Sequence, residues 1–282
     1  MRTTAAGATS SCSPPAPVSE ADTRWFAEHG WWISPSILTD DALLSLEYGI
    51  ERFYARDLDW RLPAVPPADS GFEPMGVQTR QNDYVSLQVA EIRSFVLNPL
   101  FRAIAVGLGG LDGVRLFHDQ LISKPPGKAH VGWHTDRSYW LTCSSQDMLT
   151  IWVPLIDVHA DNGALKVLDG SHLWDTDHNQ MRGFHHPDPS IMSEMWRADS
   201  VRTLSLCRGQ VSVHHAKTIH GSGPNRGTHP RTALAIHLQP GKNHYLVPPP
   251  GAPPAHFNDV LCRRDIAGRP DYADPHVCPS IS

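Results

Sequence analysis

The sequence predicts a mainly β protein, an antiparallel barrel or jelly roll with helices packed outside it. Three observations carry that expectation. From Gly113 onward six short β-type runs follow one another: VRLFHDQLIS, MLTIWVPLIDV, ALKVL, TLSLC, VSVHH and RTALAIHLQ. Gly, Pro and Asn punctuate the intervals between them, as turns require. No helical stretches of about a dozen residues alternate with the runs, which sets aside a doubly wound parallel sheet.

Taken in order, residues 1–18 are Ala, Ser, Thr and Pro with almost no large apolar side chain. They cannot bury enough surface to offset ordering entropy, so a disordered tail is expected. Ser19 with Asp22 three residues later resembles a capping box, and Gly30 closes the short helix that follows. Leu43, Leu44, Leu46, Ile50, Phe53 and Tyr54 recur at helical spacing behind Thr39, predicting a second helix from Asp40 to about Asp57. The Pro-rich stretch from Leu62 to Pro74 reads as a loop. Further helical patterns run from about Ser86 to Val96 and from Pro99 to Leu108. Asn162–Gly163, between two β-type runs, predicts a hairpin. Residues 76–88 and the stretch LVPPPGAPPAHFNDVLC are expected as loops able to reach the mouth of a barrel. The expected layout is the tail followed by a single domain over residues 19–282, helical to about 112, β from about 113 to 240, and loops beyond.

Composition narrows the function. In 282 residues, 24 Lys and Arg face 29 Asp and Glu for a net charge of −5, and there is no basic run. A surface for phosphate backbones or anionic lipid is therefore not expected. No eighteen consecutive apolar residues occur, and the N-terminus lacks the apolar core of a signal peptide, so the expected location is cytoplasmic with no membrane partner. The five cysteines are scattered without a CxxC pair, which fits reduced thiols rather than a zinc finger or disulfide framework. Seventeen histidines ask for a metal search.

Two imidazoles and a carboxylate on one face of a metal, with the remaining positions open, are the donor set of non-haem iron oxygenases, and two of the three often come as His-x-Asp. Three such tripeptides occur here, where chance predicts about one: His134 with Asp136, His159 with Asp161, and His186 with Asp188. The second sits at the Asn162–Gly163 turn and the third in a polar His/Pro segment, both loop surroundings. The first is left as the candidate.

With these residues in view, the chain resembles the phytanoyl-CoA dioxygenase-like family of Fe(II)/2-oxoglutarate oxygenases. The resemblance rests on DQLISKPPG, GWHTD, TIWVPL, DNGALKVLDGSH, VHHAKTIHGSGPN and PRTALAIHL, met in that order. It runs from about residue 19 to 240. It implies a double-stranded β-helix, a jelly-roll and cupin relative. It also implies His134, Asp136 and His220 as iron ligands. His220 is preferred to His214 and His215 because the family places its co-substrate clamp where Ser222 and Arg231 stand, two and eleven residues further on. Guanidinium and hydroxyl suit the distal carboxylate of 2-oxoglutarate. Gln120, Thr150 and Trp152 match positions that the family turns toward the co-substrate, whereas His118, His172 and His237 are read as structural.

The implied cofactors are Fe(II), 2-oxoglutarate and O2, with ascorbate as an assay additive. The implied reaction couples decarboxylation of 2-oxoglutarate, to succinate and CO2, to hydroxylation of a small-molecule substrate. The Ala/Pro/Arg-rich composition suggests natural-product tailoring, including antibiotic biosynthesis. Because Asp136 supplies the carboxylate, no position is free for chloride, and a halogenase is disfavoured. The alternatives are the same cofactors with desaturation, epoxidation or ring closure, or a non-catalytic cupin-like binding protein. A zinc hydrolase would leave Arg231 and Ser222 without a purpose.

Overall fold

The computed structural model describes residues 17–67, 69, 71, 79–127, 130–184, 200–248 and 256–282. Nearly all of the expected tail, and the His186–Asp188 pair, lie outside them.

Helices form where the sequence offers caps. Helix α1 (Glu20–His29) starts at Ser19, whose hydroxyl accepts from the Asp22 N–H while the Asp22 carboxylate accepts from the Ser19 N–H, and it stops at Gly30, φ 75°. Helix α2 (Asp40–Tyr54) is capped by Thr39. Helices α3 (Ala90–Val96) and α4 (Pro99–Gly109) are separated at Leu97 and Asn98, with Asn98 capping α4 and Pro99 at its first turn. A short α5 (Asn258–Leu261) lies near the C-terminus.

In chain order the strands are β1 (Trp31–Ile33), β2 (Arg80–Asp83), β3 (Arg115–Lys124), β4 (Val131–His134), β5 (Leu149–Pro154), β6 (Leu165–Leu168), β7 (Val201–Thr203), β8 (Ser212–His215), β9 (His220–Ser222) and β10 (Arg231–Gln239). They build two antiparallel sheets, β1-β8-β5-β10-β3-β2 and β4-β9-β6-β7. Period-two alternation gives the larger sheet two different faces. Leu121, Ile151, Val153, Val213, Leu234 and Ile236 share a core with the helices. Trp152, Ala233 and Ala235 form an inner core with Val158, Leu165 and Val167, between the sheets.

Four expectations are corrected. The first 112 residues are not purely helical, because β1 and β2 close the two edges of the large sheet, and β2 lies inside the segment expected as loop. Asn162–Gly163 does not join a hairpin. Both edges of β5 are already taken, by β10 and β8, so the chain crosses to the other sheet, where β6 pairs with β9 and β7. The TLSLC run is misplaced: β7 ends at Thr203, and Leu204 and Leu206 then donate singly to Leu165 and Val158 carbonyls. Strands β4 and β9 were not expected at all, since three or four residues rich in Gly, His and Ser carry no alternation to read.

Candidate active site

Strands β4 and β9 are paired with His134 directly opposite His220, which puts the two imidazoles 4.2 Å apart between ring centroids. Gly221 lets the strands approach, since a Cβ there would lie 2.9 Å from the Val131 carbonyl oxygen. The strand β4 stops at His134, and Thr135 caps a 3-10 turn that begins at Asp136. This turn brings Asp136 Oδ1 to 3.6 Å from His220 Nε2 and 4.0 Å from His134 Nε2. One donor atom from each of the three residues lies within 4.8 Å of the others, and all three residues are buried.

The tautomers are set by the backbone. His134 Nδ1 lies 2.8 Å from the Gly132 carbonyl and His220 Nδ1 2.9 Å from that of Thr218, so in each ring Nδ1–H donates and Nε2 keeps its lone pair for the centre. Burial, then the neighbouring His134 and His214, hold the His220 imidazole neutral, well below its usual pKa. Asp136 is the anion among them: burial opposes its charge, and the hydrogen bond it accepts from His214 Nε2 favours it, so that the carboxyl lies well below the usual range. Its Oδ2, turned from the two ligand imidazoles, accepts from Thr150 Oγ1 at 2.5 Å and from His214 Nε2 at 3.2 Å.

All eight residues expected at the site from sequence, His134, Asp136, His220, Gln120, Thr150, Trp152, Ser222 and Arg231, line one cavity. Arg231, the first residue of β10, is 1% exposed, and its Nε and Nη1 have no hydrogen-bond partner among the described residues. Its guanidinium carbon lies 5.3 Å from the centre of the Trp152 ring, and burial lowers its pKa to about 10. Directly opposite on β3, Lys124 reaches across with Nζ 2.7 Å from Ser222 Oγ and 2.6 Å from the Gly223 carbonyl. Burial, then Arg231, depress the Lys124 pKa to about 6. A buried guanidinium with unmatched N–H groups, beside a buried lysine amine, makes a receptor for a carboxylate.

The comparisons with known proteins bear on that donor set. The family model of phytanoyl-CoA dioxygenase (PhyH) matches residues 28–233, well over half of the chain. The chain belongs to the phytanoyl-CoA dioxygenase family. Among curated relatives, a protein of Stutzerimonas stutzeri named "Probable alpha-ketoglutarate-dependent hypophosphite dioxygenase" is 33% identical over 129 residues, covering 44% of this chain and 45% of that one. The peroxisomal phytanoyl-CoA dioxygenase of Rattus norvegicus is 24% identical over 247 residues, covering 79% and 69%. The chain spans about half the length of several curated relatives that it matches. In fold it is similar to the crystal structure of the carbocyclase SnoK from nogalamycin biosynthesis, with TM-score 0.72, 19% identity and coverage of 94% and 97%. It is equally similar to EctD from S. alaskensis solved with 2-oxoglutarate and 5-hydroxyectoine, TM-score 0.72, 21% identity, coverage 95% and 90%. The two-sheet arrangement is therefore the double-stranded β-helix of these oxygenases.

The family's cofactors, iron and 2-oxoglutarate, meet a fitting set of residues here: two Nε2 lone pairs and one carboxylate oxygen converge, and an unmatched guanidinium waits in the same cavity. Thr150 lines the cavity, and its hydroxyl donates to Asp136 Oδ2. Sequence reasoning assigned Lys124 no role, set His214 aside as a ligand and read His118 and His237 as structural. Their signal was period two: on β3, counting from Gln120, it reaches His118 and Lys124, and on β10, from Arg231, it reaches His237. Cross-strand register sets His118, His237, Thr150 and His214 in one polar row on the inner face. His237 Nδ1 lies 2.8 Å from Thr150 Oγ1. His172, by contrast, holds the Ala27 carbonyl at 3.2 Å away from the cavity, as a structural imidazole does.

Proposed function

We propose that the protein is an Fe(II)/2-oxoglutarate-dependent dioxygenase that hydroxylates a small-molecule metabolite, with release of succinate and CO2. The observation that carries the reading is the placement, in one cavity, of three converging ligand atoms and a buried guanidinium with unmatched N–H groups. His134, Asp136 and His220 would hold the iron, and Arg231, with Ser222 and Lys124 beside it, the distal carboxylate of 2-oxoglutarate. Bound together, iron and co-substrate supply the oxidising power for removing a hydrogen from an unactivated C–H bond. The chain's own residues bind, orient and exclude water. Thr150 and His214 fix the outer oxygen of Asp136 so that the inner one faces the two imidazoles, and Trp152 walls the co-substrate against bulk solvent. The relatives support a tailoring role: 1-deoxypentalenic acid 11-beta-hydroxylase of Streptomyces exfoliatus is 29% identical over 142 residues, 46% of this chain.

The test is anaerobic titration of the purified protein with ferrous iron and 2-oxoglutarate. One iron per chain is expected, with the weak visible charge-transfer band of an iron-bound 2-oxo acid. An iron-loaded protein without that band would overturn the reading. Product analysis then separates hydroxylation from desaturation, epoxidation or ring closure, because the outcome follows from how the substrate C–H is placed.

A further inference from the structure

Next to the site just described lies a second space of about 360 Å³, which His134 and Asp136 also border. The end of strand β2 and the residue after it supply another of its walls, through Asp83 and Tyr84. Successive residues of a strand point to opposite faces, so an ordinary strand would show only one of them to the cavity. Here Tyr84 takes φ 58° and ψ 35°, a left-handed conformation that is a costly exception for an aromatic residue. The turn brings both side chains to the same space.

Asp83 stands beside Gln120 in the cross-strand register, on the inner face of the sheet. Its carboxylate accepts from Gln81 Nε2, at 3.1 and 3.3 Å to its two oxygens. Neutral amides orient a carboxylate without neutralising it. Among the described residues no cationic side chain pairs with Asp83, although it is only 7% exposed. Tyr84, Trp140 and Phe257 contribute aromatic rings to the same space, with His118 and His256 between them. Burial first, then the neighbouring imidazoles, keeps both histidines neutral, His256 down to about 3. The cavity's cation, Arg182, comes from the segment bridged to His134, where its guanidinium lies 4.7 Å over the Tyr139 ring.

A carboxylate held by neutral donors among aromatic faces is the constellation that recognises an organic cation, through charge on one side and ring quadrupoles on the other. A hydroxyl would accept the geometry but leave the Asp83 charge unmatched, and an anion would have to sit by Arg182, away from Asp83. We propose that Asp83 anchors the substrate and that the substrate carries a protonated nitrogen, seated between Asp83 and the aromatic wall. This rests on the oxygenase reading for what happens to the molecule, though not for how it is held. Burial first, with Asp69 and Asp119 adding to it, pushes the Asp83 carboxyl up to about 7 against the hydrogen bonds of Gln81 and Gln120, so a bound cation would hold it fully ionised at neutral pH.

Three compounds of nearly one shape test it: benzylamine, benzyl alcohol and benzoate, measured by calorimetry on the full chain with and without Mn(II) and 2-oxoglutarate. Benzylamine is expected to bind at least about tenfold more tightly than benzyl alcohol, with benzoate weakest, and Asp83→Asn is expected to abolish the preference. Equal affinity of amine and alcohol, a preference for benzoate, or an amine preference that survives in Asp83→Asn would each overturn the proposal. The comparison of compounds on the unsubstituted protein decides even where the variant folds poorly. Loss of the iron charge-transfer band speaks against the oxygenase reading alone, because the amine preference is read without it.

Discussion

Adjacent in sequence, His214 and His215 show what the pleat does to like side chains. His214 turns inward, 2% exposed, with Nε2 3.2 Å from the outer oxygen of Asp136, whereas His215 turns to the other face with Nε2 3.9 Å from Asp147. On the proposed reading, His214 therefore positions a ligand and His220 is one. Replacing His220 by Ala is expected to abolish iron binding and 2-oxoglutarate decarboxylation. His214→Ala should lower iron affinity about 10- to 100-fold and regain decarboxylation at saturating iron, and His215→Ala should do neither. Metal content measured beside succinate formation checks all three, and an active His220→Ala enzyme would reassign the site. Asp83 carries a second expectation at this scale. A carboxyl raised to about 7 in the fold binds its proton more tightly than in the unfolded chain, where the usual range is about 4. Stability is then present at low pH and lost as pH rises through that window. Asp83→Asn removes the loss, so its advantage over wild type in urea denaturation should be larger at about pH 8 than at about pH 5.

At the scale of elements, the site depends on how closely β4 and β9 lie. Only three and four residues long, they gain little from their own ladder and are held by β6 on one side and the 3-10 turn after His134 on the other. Gly221→Ala would place a Cβ 2.9 Å from the Val131 carbonyl oxygen and 3.2 Å from that of Gly132, both backbone atoms that cannot swing aside. The strands must separate, and His134 moves from His220. The expected outcome is a fall in iron content with only a modest drop in Tm, seen by metal analysis and thermal denaturation. A normal iron content would show that the β4–β9 spacing does not set the ligand geometry. Long strands, by comparison, are robust: β3 and β10 share an almost unbroken register from Arg231–Lys124 to Gln239–Arg115, and this lines up the polar row of the inner face.

For the whole molecule, the buried charges of the cavity act as a latent load on the fold. Arg231 at one end is a desolvated cation, with the buried Lys124 amine beside it, and Asp136 is a desolvated anion at the other. Ligands that complete these groups bind the native state alone, so Mn(II) with 2-oxoglutarate should raise Tm, by the equivalent of about 2.7 kcal/mol at a hundredfold excess over Kd. EDTA should reverse the metal part. In Arg231→Gln the 2-oxoglutarate increment should vanish while the Mn(II) increment stays, since removing one partner of a buried charge-assisted pair costs about 2–5 kcal/mol of binding. Loss of both increments would make Arg231 structural. We also propose that residues 19–282 unfold as one unit, because the C-terminal residues Tyr272, Val277 and Cys278 pack on Phe117 of β3. A single calorimetric transition is expected, and two separable ones would divide the chain.

By itself the sequence determined the fold class, the caps of α1 and α2, and the long strands, because each is written in local chemistry: a hydroxyl before a helix, a Gly after it, β-branched runs between turns. The family resemblance, carried by blocks met in order along the chain, implied His134, Asp136, His220, Ser222 and Arg231. Only the tertiary structure decided which edges were free. It sent the chain across the sheets at Asn162–Gly163 and recruited β1 and β2 from a helical region. It also assembled the groups that no local pattern joins: Lys124 with Ser222, Thr150 with Asp136, and Asp83 with the rings of Tyr84 and Phe257. The physical reason is common to all of these. Strand pairing is a contest among distant segments for a limited number of backbone edges, and a side chain's partner is settled by the winner's register, not by its neighbours in sequence.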